Sequence, residues 1–258
     1  MNLTNNTILI TGGTSGFGLL FASRLLALGN TVLITGRDKS KLEAAKKQLP
    51  GVHTYVSDVS NPNAIRMLYE ELTGQFPGLN MIINNAGEMR KISLHQPHDL
   101  TDITREIEIN LMGPIRMVQQ FLPHLKTRTN AAIVNVTSGI ALMPFPISPI
   151  YGASKAGFRS YTQALRVQLK NTKIKVIEVV APGSSTPLND KFVNEDGFNA
   201  KMLMTPDKII NAAISGMKND KDEIFPGLSK LMRIMSRVAP KFALAQAGKM
   251  GASTMYGN

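Results

Sequence analysis

Tyr151 and Lys155 carry the clearest chemical signal in this chain, because a phenol and an amine stand four positions apart in a predicted helix. Side chains at that spacing share one face of a helix. A neighbouring ammonium favours the ionised phenol, so it lowers the tyrosine pKa from about 10 by ~1–3 units. The hydroxyl of Ser138, which ends an apolar run, can donate a hydrogen bond to a substrate oxygen. The arrangement predicts proton transfer to or from a substrate oxygen near neutral pH.

Two glycine-containing turns predict a nucleotide site near this chemistry. Gly12, Gly16 and Gly18 follow a short apolar strand and open a helix. Glycines there let the backbone approach a pyrophosphate, and the helix N-terminus supplies N–H donors and a favourable dipole. The turn Asn84-Asn85-Ala86-Gly87 follows another predicted strand. Because ligands of such sheets bind at the carboxyl ends of the strands, the two turns together predict a dinucleotide site.

The residues after the second predicted strand bear on which dinucleotide is preferred. A carboxylate there binds the ribose 2′-OH of NAD, whereas an arginine accepts the 2′-phosphate of NADP. The chain has Arg37 followed by Asp38. We assign Asp38 to the start of the next helix, beside a predicted capping residue at Ser40, because acidic side chains are favoured there. Arg37, with the hydroxyls of Thr14 and Ser15, therefore favours NADP, and NAD stays open as the alternative.

The segments between these residues alternate between apolar strands and helices. The predicted strands are near-continuous apolar runs, which suits parallel strands buried on both faces. The order predicts an α/β fold, a Rossmann-type doubly wound parallel sheet with helices on both faces. Predicted strands cover 7–11, 31–35, 54–56, 80–83, 131–136 and 175–180, and predicted helices cover 16–28, 40–49, 60–73, 102–126 and 151–170.

Composition limits the classes of protein and of site that fit this chain. Its 258 residues, 43% of them hydrophobic, can fill a sizeable core, and we expect a single domain over residues 1–258. Cysteine is absent and the four histidines lack zinc-site spacing, so we expect neither disulfides nor a metal site. The absence of a signal peptide and of a membrane-length apolar run predicts a cytoplasmic protein. No nucleic-acid-binding motif accompanies the formal charge of +11, so we expect no nucleic-acid partner.

The C-terminal extension, residues 225–258, is basic and contains no acidic residue. Within it, Leu231, Ile234, Met235 and Val238 fall on one face of a predicted helix, and the basic residues lie largely off that face. A basic amphipathic helix can make weak contact with an anionic membrane surface. The same face can instead pack over a substrate cleft or against another subunit. Both interpretations stay open.

Taken together, these motifs resemble the short-chain dehydrogenase/reductase superfamily over about residues 5–187. The stretch 3–13 is most similar to the bacterial DltE-like oxidoreductases. The resemblance implies a catalytic tetrad of Asn110, Ser138, Tyr151 and Lys155.

The resemblance also implies a set of cofactor-binding residues. Thr186 comes one residue sooner than in the family pattern, and Phe17 replaces an aliphatic residue between the glycines. The implied set is Gly12, Thr14, Ser15, Gly16, Phe17, Gly18, Arg37, Asp58, Val59, Asn84, Asn85, Ala86, Gly87, Tyr151, Lys155, Pro182, Gly183 and Thr186.

The expected reaction is hydride transfer between the nicotinamide of NADP or NAD and a small-molecule carbonyl or secondary alcohol, with Tyr151 moving the proton. A non-catalytic dinucleotide sensor and a membrane-peripheral scaffold are the alternatives. The resemblance implies a homodimer or homotetramer packed through the helices 102–126 and 151–170.

The expected substrate site is bordered by residues 88–94, by residues 140–150 and by a flap over residues 188–204. The first of these segments contains two cations, Arg90 and Lys91, whereas the second begins with an apolar run. Such a lining would suit a substrate with an apolar body and an anionic end. The alternative, which we favour, is that Arg90 and Lys91 are solvated loop charges.

Overall fold

The sheet of this protein is built from parallel strands, as seen in a computed structural model that describes residues 1–256. The seven strands found in that range are β1 (Thr7–Ile10), β2 (Thr31–Gly36), β3 (His53–Val56), β4 (Leu79–Asn84), β5 (Ala131–Ser138), β6 (Ile174–Ala181) and β7 (Glu223–Ile224). They pair side by side in the order β3-β2-β1-β4-β5-β6-β7. The strand order reverses at β1, and the crevice between β1 and β4 at that point is where such folds bind ligands.

Helices cover both faces of this sheet. They are α1 (Gly16–Ala27), α2 (Lys39–Gln48), α3 (Pro62–Gln75), α4 (Leu100–Ile103), α5 (Arg105–Ile107), α6 (Gly113–Lys126), α7 (Pro149–Gln168), α8 (Pro206–Lys218), α9 (Ser229–Val238), α10 (Pro240–Ala247) and α11 (Ala252–Tyr256). Successive strand side chains point to opposite faces. Ile8 and Ile10 of β1 therefore join the buried cluster under α1, α2 and α8, whereas Leu9 joins the cluster under α3, α6 and α7. The predicted fold class is confirmed.

The single helix predicted over residues 102–126 is wrong. The chain instead forms α4, α5, a π-helical turn over Glu108–Met112, and then α6. Pro114 lacks the N–H that would bond the carbonyl of Asn110 in a continuous α-helix, so the regular ladder is interrupted here. Asn110 lies inside the π-helical turn, an irregularity that is frequent at functional sites.

The predicted cap of α2 at Ser40 is also wrong. Asp38 is the N-cap, and its carboxylate accepts hydrogen bonds from Lys41 N at 3.1 Å and from Ser40 Oγ at 2.6 Å. These hydrogen bonds lower the pKa of Asp38. The assignment of Asp38 to the start of this helix agrees with these contacts.

The C-terminal extension folds back over the carboxyl end of the sheet. Helix α9 lies against the turn that follows β5, where a Cβ on Gly139 would stand 2.7 Å from Met232 Sδ. The last residues of the extension, 257 and 258, lie outside the described residues. Helix α11 adds one side chain to a buried cluster whose members are Met89, Ile147, Tyr151, Phe192 and Met255. Among the described residues, no helix is long and apolar enough to cross a membrane.

Candidate active site

A cleft of about 430 Å³ lies at the carboxyl ends of the strands around the β1–β4 crevice. Gly18, Asn84 and Asn110 stand behind its surface, whereas most of the predicted site residues line it. The lining includes Gly12, Thr14, Ser15, Gly16, Phe17, Arg37, Asp58, Val59, Asn85, Ala86, Gly87, Ser138, Tyr151, Lys155, Pro182, Gly183 and Thr186.

Two glycines at the junction of β1 and α1, Gly12 and Gly18, stand where a side chain has no room. Gly12 has φ +65°, and a Cβ there would stand 2.8 Å from Ala86 Cα. A Cβ on Gly18 would stand 2.2 Å from Gly12 O. Asn85 fixes this turn to the one after β4, because its Nδ2 donates to Thr11 O at 3.0 Å and to Gly12 O at 3.1 Å.

The start of α1 suits a pyrophosphate. Ser15, the N-cap, makes no side-chain hydrogen bond to the helix in the described structure, so the first N–H groups of α1 are left for another acceptor. Backbone approach at the glycines and the helix dipole both favour a bound anion here. The residues at this end of the cleft therefore fit a dinucleotide.

The adenosine end of the cleft carries polar groups from β2, β3 and α2. Arg37 and Lys41 line it as cations, beside Asp38. Asp58 accepts hydrogen bonds from Ser60 N and Oγ, at 2.9 and 2.7 Å. Ser57 also lines the cleft, and its buried Oγ has no hydrogen-bond partner within residues 1–256. A buried polar atom of this kind calls for a partner, and the ribose or adenine of a dinucleotide would supply one.

Ser138, Tyr151 and Lys155 come together at the other end of the cleft. Ser138 is the last residue of β5, and Tyr151 and Lys155 lie in the first two turns of α7. The Ser138 hydroxyl lies beside the Tyr151 phenol, and its Oγ accepts a hydrogen bond from Ile140 N at 3.2 Å. Lys155 Nζ lies 5.9 Å from the centroid of the Tyr151 ring and donates to Val136 O at 3.0 Å. The structure thus places the predicted phenol, amine and hydroxyl in one small volume.

The expected lowering of the Tyr151 pKa is wrong for this geometry. Burial raises the pKa of Tyr151 to about 12, although the neighbouring Ser138 hydroxyl acts in the opposite direction. Burial also lowers the pKa of Lys155, to about 8. Desolvation disfavours the charged form of each group, and it is the largest cause of both shifts. The phenol is therefore protonated at neutral pH, as a proton donor must be.

Asn110 forms hydrogen bonds to segments on both sides of Lys155. Its Nδ2 donates to Glu88 O at 2.8 Å and to Ser154 Oγ at 3.0 Å, and its Oδ1 accepts from Glu88 N at 2.8 Å. A Cβ on Gly87 would stand 3.2 Å from Asn110 Oδ1 and 3.6 Å from Lys155 Nζ. Asn110 therefore joins the loop after β4 to α7, close to the ammonium of Lys155.

Arg159, one turn beyond Lys155, ties α7 to β6 and β7. It donates to Glu178 Oε2 at 2.5 Å and to Glu223 Oε1 at 3.1 Å. Glu178 is fully buried, and Thr137 donates to its other oxygen at 2.6 Å. Burial raises the pKa of Glu178, while the contacts with Thr137 and Arg159 oppose the rise. This ion pair fixes the helix that carries the phenol and the amine.

The predicted cations of the substrate site do not line the cleft. Arg90 forms ion pairs with Asp102 at 2.6 Å and with Glu106 at 3.2 Å. Lys91 pairs with Glu195 at 2.6 Å. The assignment of Arg90 and Lys91 to a substrate anion is wrong, because carboxylates of the protein already neutralise both. The segments around them do contribute to the lining, through Met89, Ile140, Leu188, Asn189 and Lys191.

Comparison with known proteins assigns the family. The family model for short chain dehydrogenases matches residues 6–197. The chain belongs to the short chain dehydrogenase family. It is 40% identical over 225 residues to the uncharacterized oxidoreductase DltE of Bacillus subtilis, covering 87% of this chain and 89% of that protein. It is 36% identical over 183 residues to sulfoacetaldehyde reductase 2 of Chromohalobacter salexigens, covering 69% of this chain and 72% of that protein.

Solved structures agree with this assignment. A short-chain dehydrogenase from Sphingobium yanoikuyae, in complex with NADPH, matches with a TM-score of 0.78 and 25% identity, covering 93% of this chain and 95% of that one. Other solved chains with this fold are complexes with NADP or with NAD. The predicted resemblance is confirmed, and the protein is an NAD(P)-dependent oxidoreductase. A sensor without turnover is not favoured.

Some residues that line the cleft of this short chain dehydrogenase were not predicted from the sequence. Ser57 directly follows β3, so the rule that ligands bind at strand carboxyl ends could have found it. Lys41 and Lys191 lie in segments that contain several other exposed cations and polar residues. Neither lysine stands in a motif, so only the three-dimensional arrangement distinguishes them.

Proposed function

We propose that this short chain dehydrogenase is an NADP-preferring reductase of carbonyl compounds, with Tyr151 as the proton donor. The observation that supports this most directly is that the Ser138 hydroxyl and the Lys155 ammonium both lie beside the Tyr151 phenol, at the strand ends that border the nucleotide cleft. When bound, the dinucleotide supplies the hydride. The sulfoacetaldehyde reductase relative, by its name, reduces an aldehyde, which supports the reductive direction.

Each residue then has a distinct part in the reaction. Ser138 donates a hydrogen bond to the carbonyl oxygen, which polarises the C=O bond as the carbon gains a hydride. The oxygen takes its proton from the Tyr151 phenol, and the Lys155 ammonium stabilises the phenolate left behind. Asn110 bonds both the loop that follows β4 and helix α7, so it holds these two segments together next to Lys155. Solvent returns a proton to Tyr151 after the alcohol leaves.

The basic test of this function follows NADPH emission during incubation with a panel of aldehydes and ketones. A fall in emission that requires the carbonyl compound supports a reductase. Binding of NADPH without consumption, across aldehydes, ketones and acidic carbonyl compounds, would contradict the proposal and favour a sensor.

The preference for NADP rests on Arg37 and on the position of Asp38. The Asp38 carboxylate caps α2, whereas Arg37 and Lys41 line the cleft and form no ion pair within residues 1–256. A guanidinium suits a phosphate monoester, since it offers a planar pair of donors. The hydroxyls of Thr14 and Ser15 line the same end of the cleft and can add donors.

Replacing Arg37 with serine is expected to lower the NADPH-to-NADH ratio of kcat/KM by about 10- to 100-fold, as expected for loss of one charged hydrogen-bonding group. Steady-state rates with both coenzymes measure this ratio. Lys39→Met is the matched control, because Lys39 is an exposed cation at the start of α2 outside the cleft. A ratio that stays at the wild-type value in Arg37→Ser, or that starts in favour of NADH, would contradict the assignment.

We infer that residues 188–204 act as the substrate flap of a single domain. Leu188, Asn189 and Lys191 line the cleft. The far end of the segment is pinned, because Met204 N donates to Gly183 O at 3.0 Å. The segment between these points contains two short 3₁₀ turns and few buried side chains, which suits a region that opens at low cost.

We also infer a homodimer or homotetramer in which α7 packs against its symmetry mate. Small side chains line an exposed stripe of this helix, through Ala153, Ala156, Ser160 and Ala164. The stripe ends at Val167, whose side chain is 66% exposed. Small residues allow two helices to approach closely, and an apolar residue at the edge gains from burial.

The exposed face of α9 supports peripheral contact with an anionic membrane surface. Leu231, Ile234 and Val238 share this face and are 52%, 57% and 77% exposed. Lys230 and Arg237 flank it, and neither forms an ion pair within residues 1–256. A second copy of this face would bring like charges together, whereas anionic lipid would neutralise them. We therefore propose that lipid, rather than another subunit, covers this helix.

Flotation with vesicles of phosphatidylcholine, with and without phosphatidylglycerol, tests this contact. We expect binding that requires the anionic lipid, weakens with salt and is lost in Leu231→Ser/Ile234→Ser/Val238→Ser. Met67→Ser is the control, because Met67 is an exposed apolar residue on α3. Equal flotation of both variants and wild type would contradict the proposal. So would a change in oligomer mass in the triple variant without any lipid binding by wild type.

A further inference from the structure

Lys191 is a cation at the substrate end of the cleft that no carboxylate neutralises within residues 1–256. It lies on the 3₁₀ turn Asp190–Phe192, and it lines the cleft. Its ammonium donates to the main-chain oxygen of Met89 and appears in none of the ion pairs of the described chain. The neighbouring cations differ in this respect, because Arg90 and Lys91 are both paired.

The charges that line the cleft are divided between its two ends. The lining carboxylates, Asp38 and Asp58, both belong to the adenosine end. Around Tyr151, the lining of the described structure carries the ammonium groups of Lys155 and Lys191 and no carboxylate. Asp190 is next to Lys191 in sequence but is exposed and outside the lining. An anion entering at this end therefore meets positive charge and no carboxylate in the lining. The acid whose charge acts on Tyr151, Glu106, lies outside the lining and is paired with Arg90.

The surroundings of Lys191 tie it to the reacting phenol. Its acceptor, Met89, belongs to the same buried cluster as Tyr151. Phe192, the next residue after Lys191, belongs to that cluster as well and fixes the turn against it. The remaining members, Ile147 and Met255, make this wall apolar. The ammonium thus stands at the rim of an apolar pocket beside the proton donor.

We propose that Lys191 recognises an anionic group on the substrate, so that the enzyme reduces carbonyl compounds that carry a carboxylate, sulfonate or phosphate. This inference rests on the proposed reductase function. A substrate anion would replace the neutral Met89 carbonyl as the acceptor, and a charge-assisted hydrogen bond is stronger than one to a neutral oxygen. The substrate's carbonyl would then face Tyr151, with its carbon chain along the apolar wall.

Two anions can reach an ammonium at this place, the substrate's own anionic group and a phosphate of the coenzyme. Removing the Lys191 ammonium would change different kinetic constants in the two cases. Loss of a substrate contact lowers kcat/KM for acidic carbonyl compounds only. Loss of a coenzyme contact raises the KM for NADPH and affects every carbonyl compound alike.

The experiment compares Lys191→Met with Lys201→Met, which removes an exposed lysine of the same segment that lies outside the lining. The probes are matched pairs with and without a carboxylate, among them succinic semialdehyde and butanal. We expect Lys191→Met to lower kcat/KM for the acidic members by about tenfold. This loss is at the lower end of the range for charged hydrogen bonds, because Lys191 is exposed to solvent. The neutral members and the KM for NADPH should change little, Lys191→Arg should retain the acid preference, and Lys201→Met should match wild type.

Equal losses on acidic and neutral probes would overturn the inference, and so would a rise in the KM for NADPH with an unchanged acid preference. In either case wild-type turnover would leave the reductase function standing. If wild-type enzyme binds NADPH but reduces no member of any pair, the reductase function itself fails, and the inference fails with it.

Discussion

Tyr151→Phe is expected to lower kcat for carbonyl reduction by about 10²–10⁴-fold, because it removes the general acid and keeps the ring. The phenol is buried, protonated at neutral pH and adjacent to the Ser138 hydroxyl. Loss of the hydroxyl therefore removes the proton without opening a large cavity. Stopped-flow or steady-state absorbance of NADPH measures the rate, and NADPH emission checks that coenzyme binding persists.

Tyr161→Phe is the matched control for this substitution. Burial also raises the pKa of Tyr161 to about 12, but this residue lies on α7 two turns beyond Lys155 and outside the cleft. Its replacement should leave kcat near the wild-type value. Similar losses in both variants would assign the effect to damage of α7 and contradict the role of Tyr151.

The pH profile gives a second readout of the same assignment. Lys155 is charged below its lowered pKa of about 8 and neutral above it. Since the ammonium stabilises the phenolate that proton donation creates, the reductive rate should fall as pH rises through that value. Tyr151 stays protonated in this range, because burial raises its pKa to about 12. A rate that rises steadily through the same range would contradict the role of Lys155.

Arg159→Met is expected to lower the free energy of unfolding by about 3–5 kcal/mol at neutral pH, because it leaves the buried Glu178 without its cation. Urea denaturation followed by circular dichroism measures the change. Burial alone would then raise the pKa of Glu178 further. A carboxyl whose pKa is higher in the folded than in the unfolded state favours folding at low pH. The difference in free energy of unfolding between wild type and Arg159→Met should therefore shrink as pH falls toward the ordinary glutamate pKa.

Two variants separate this effect from a general loss of surface charge. Arg24→Met removes a guanidinium from an ion pair of 2.6 Å with Asp207 at the surface, where the loss should stay within about 1 kcal/mol. Arg159→Met/Glu178→Gln removes both charges and should regain part of the stability. Equal losses in Arg24→Met and Arg159→Met would contradict a special contribution of the buried pair.

The sheet and its cleft were predictable from sequence because they depend on local patterns. Near-continuous apolar strands, the glycines of the first turn and the Asn84-Asn85-Ala86-Gly87 turn each act over a few residues. Tyr151 and Lys155 share a face at any regular helical geometry. The strand β7 was not predicted, because two residues that pair with β6 carry no periodicity of their own.

Electrostatic details were not predictable because they depend on distant residues. Arg90 and Lys191 are both cations of exposed loops in the sequence. Only the fold brings Asp102 and Glu106 to Arg90 and leaves Lys191 at the cleft. The pKa of Tyr151 likewise depends on how deeply β5 and α7 bury the ring, and sequence spacing does not measure burial depth.

The π-helical turn at Asn110 has a consequence for how this chain can change. A π turn holds one residue more than an α turn, and each residue of an α-helix advances the rotation by about 100°. Deleting one residue here would swing Met117 and Phe121 of α6 away from the sheet against which they pack. The buried apolar residues of α6 therefore require the extra residue of the π-helical turn to be kept. Side chains on the solvent side of this stretch can be substituted freely, but residues cannot be inserted or deleted.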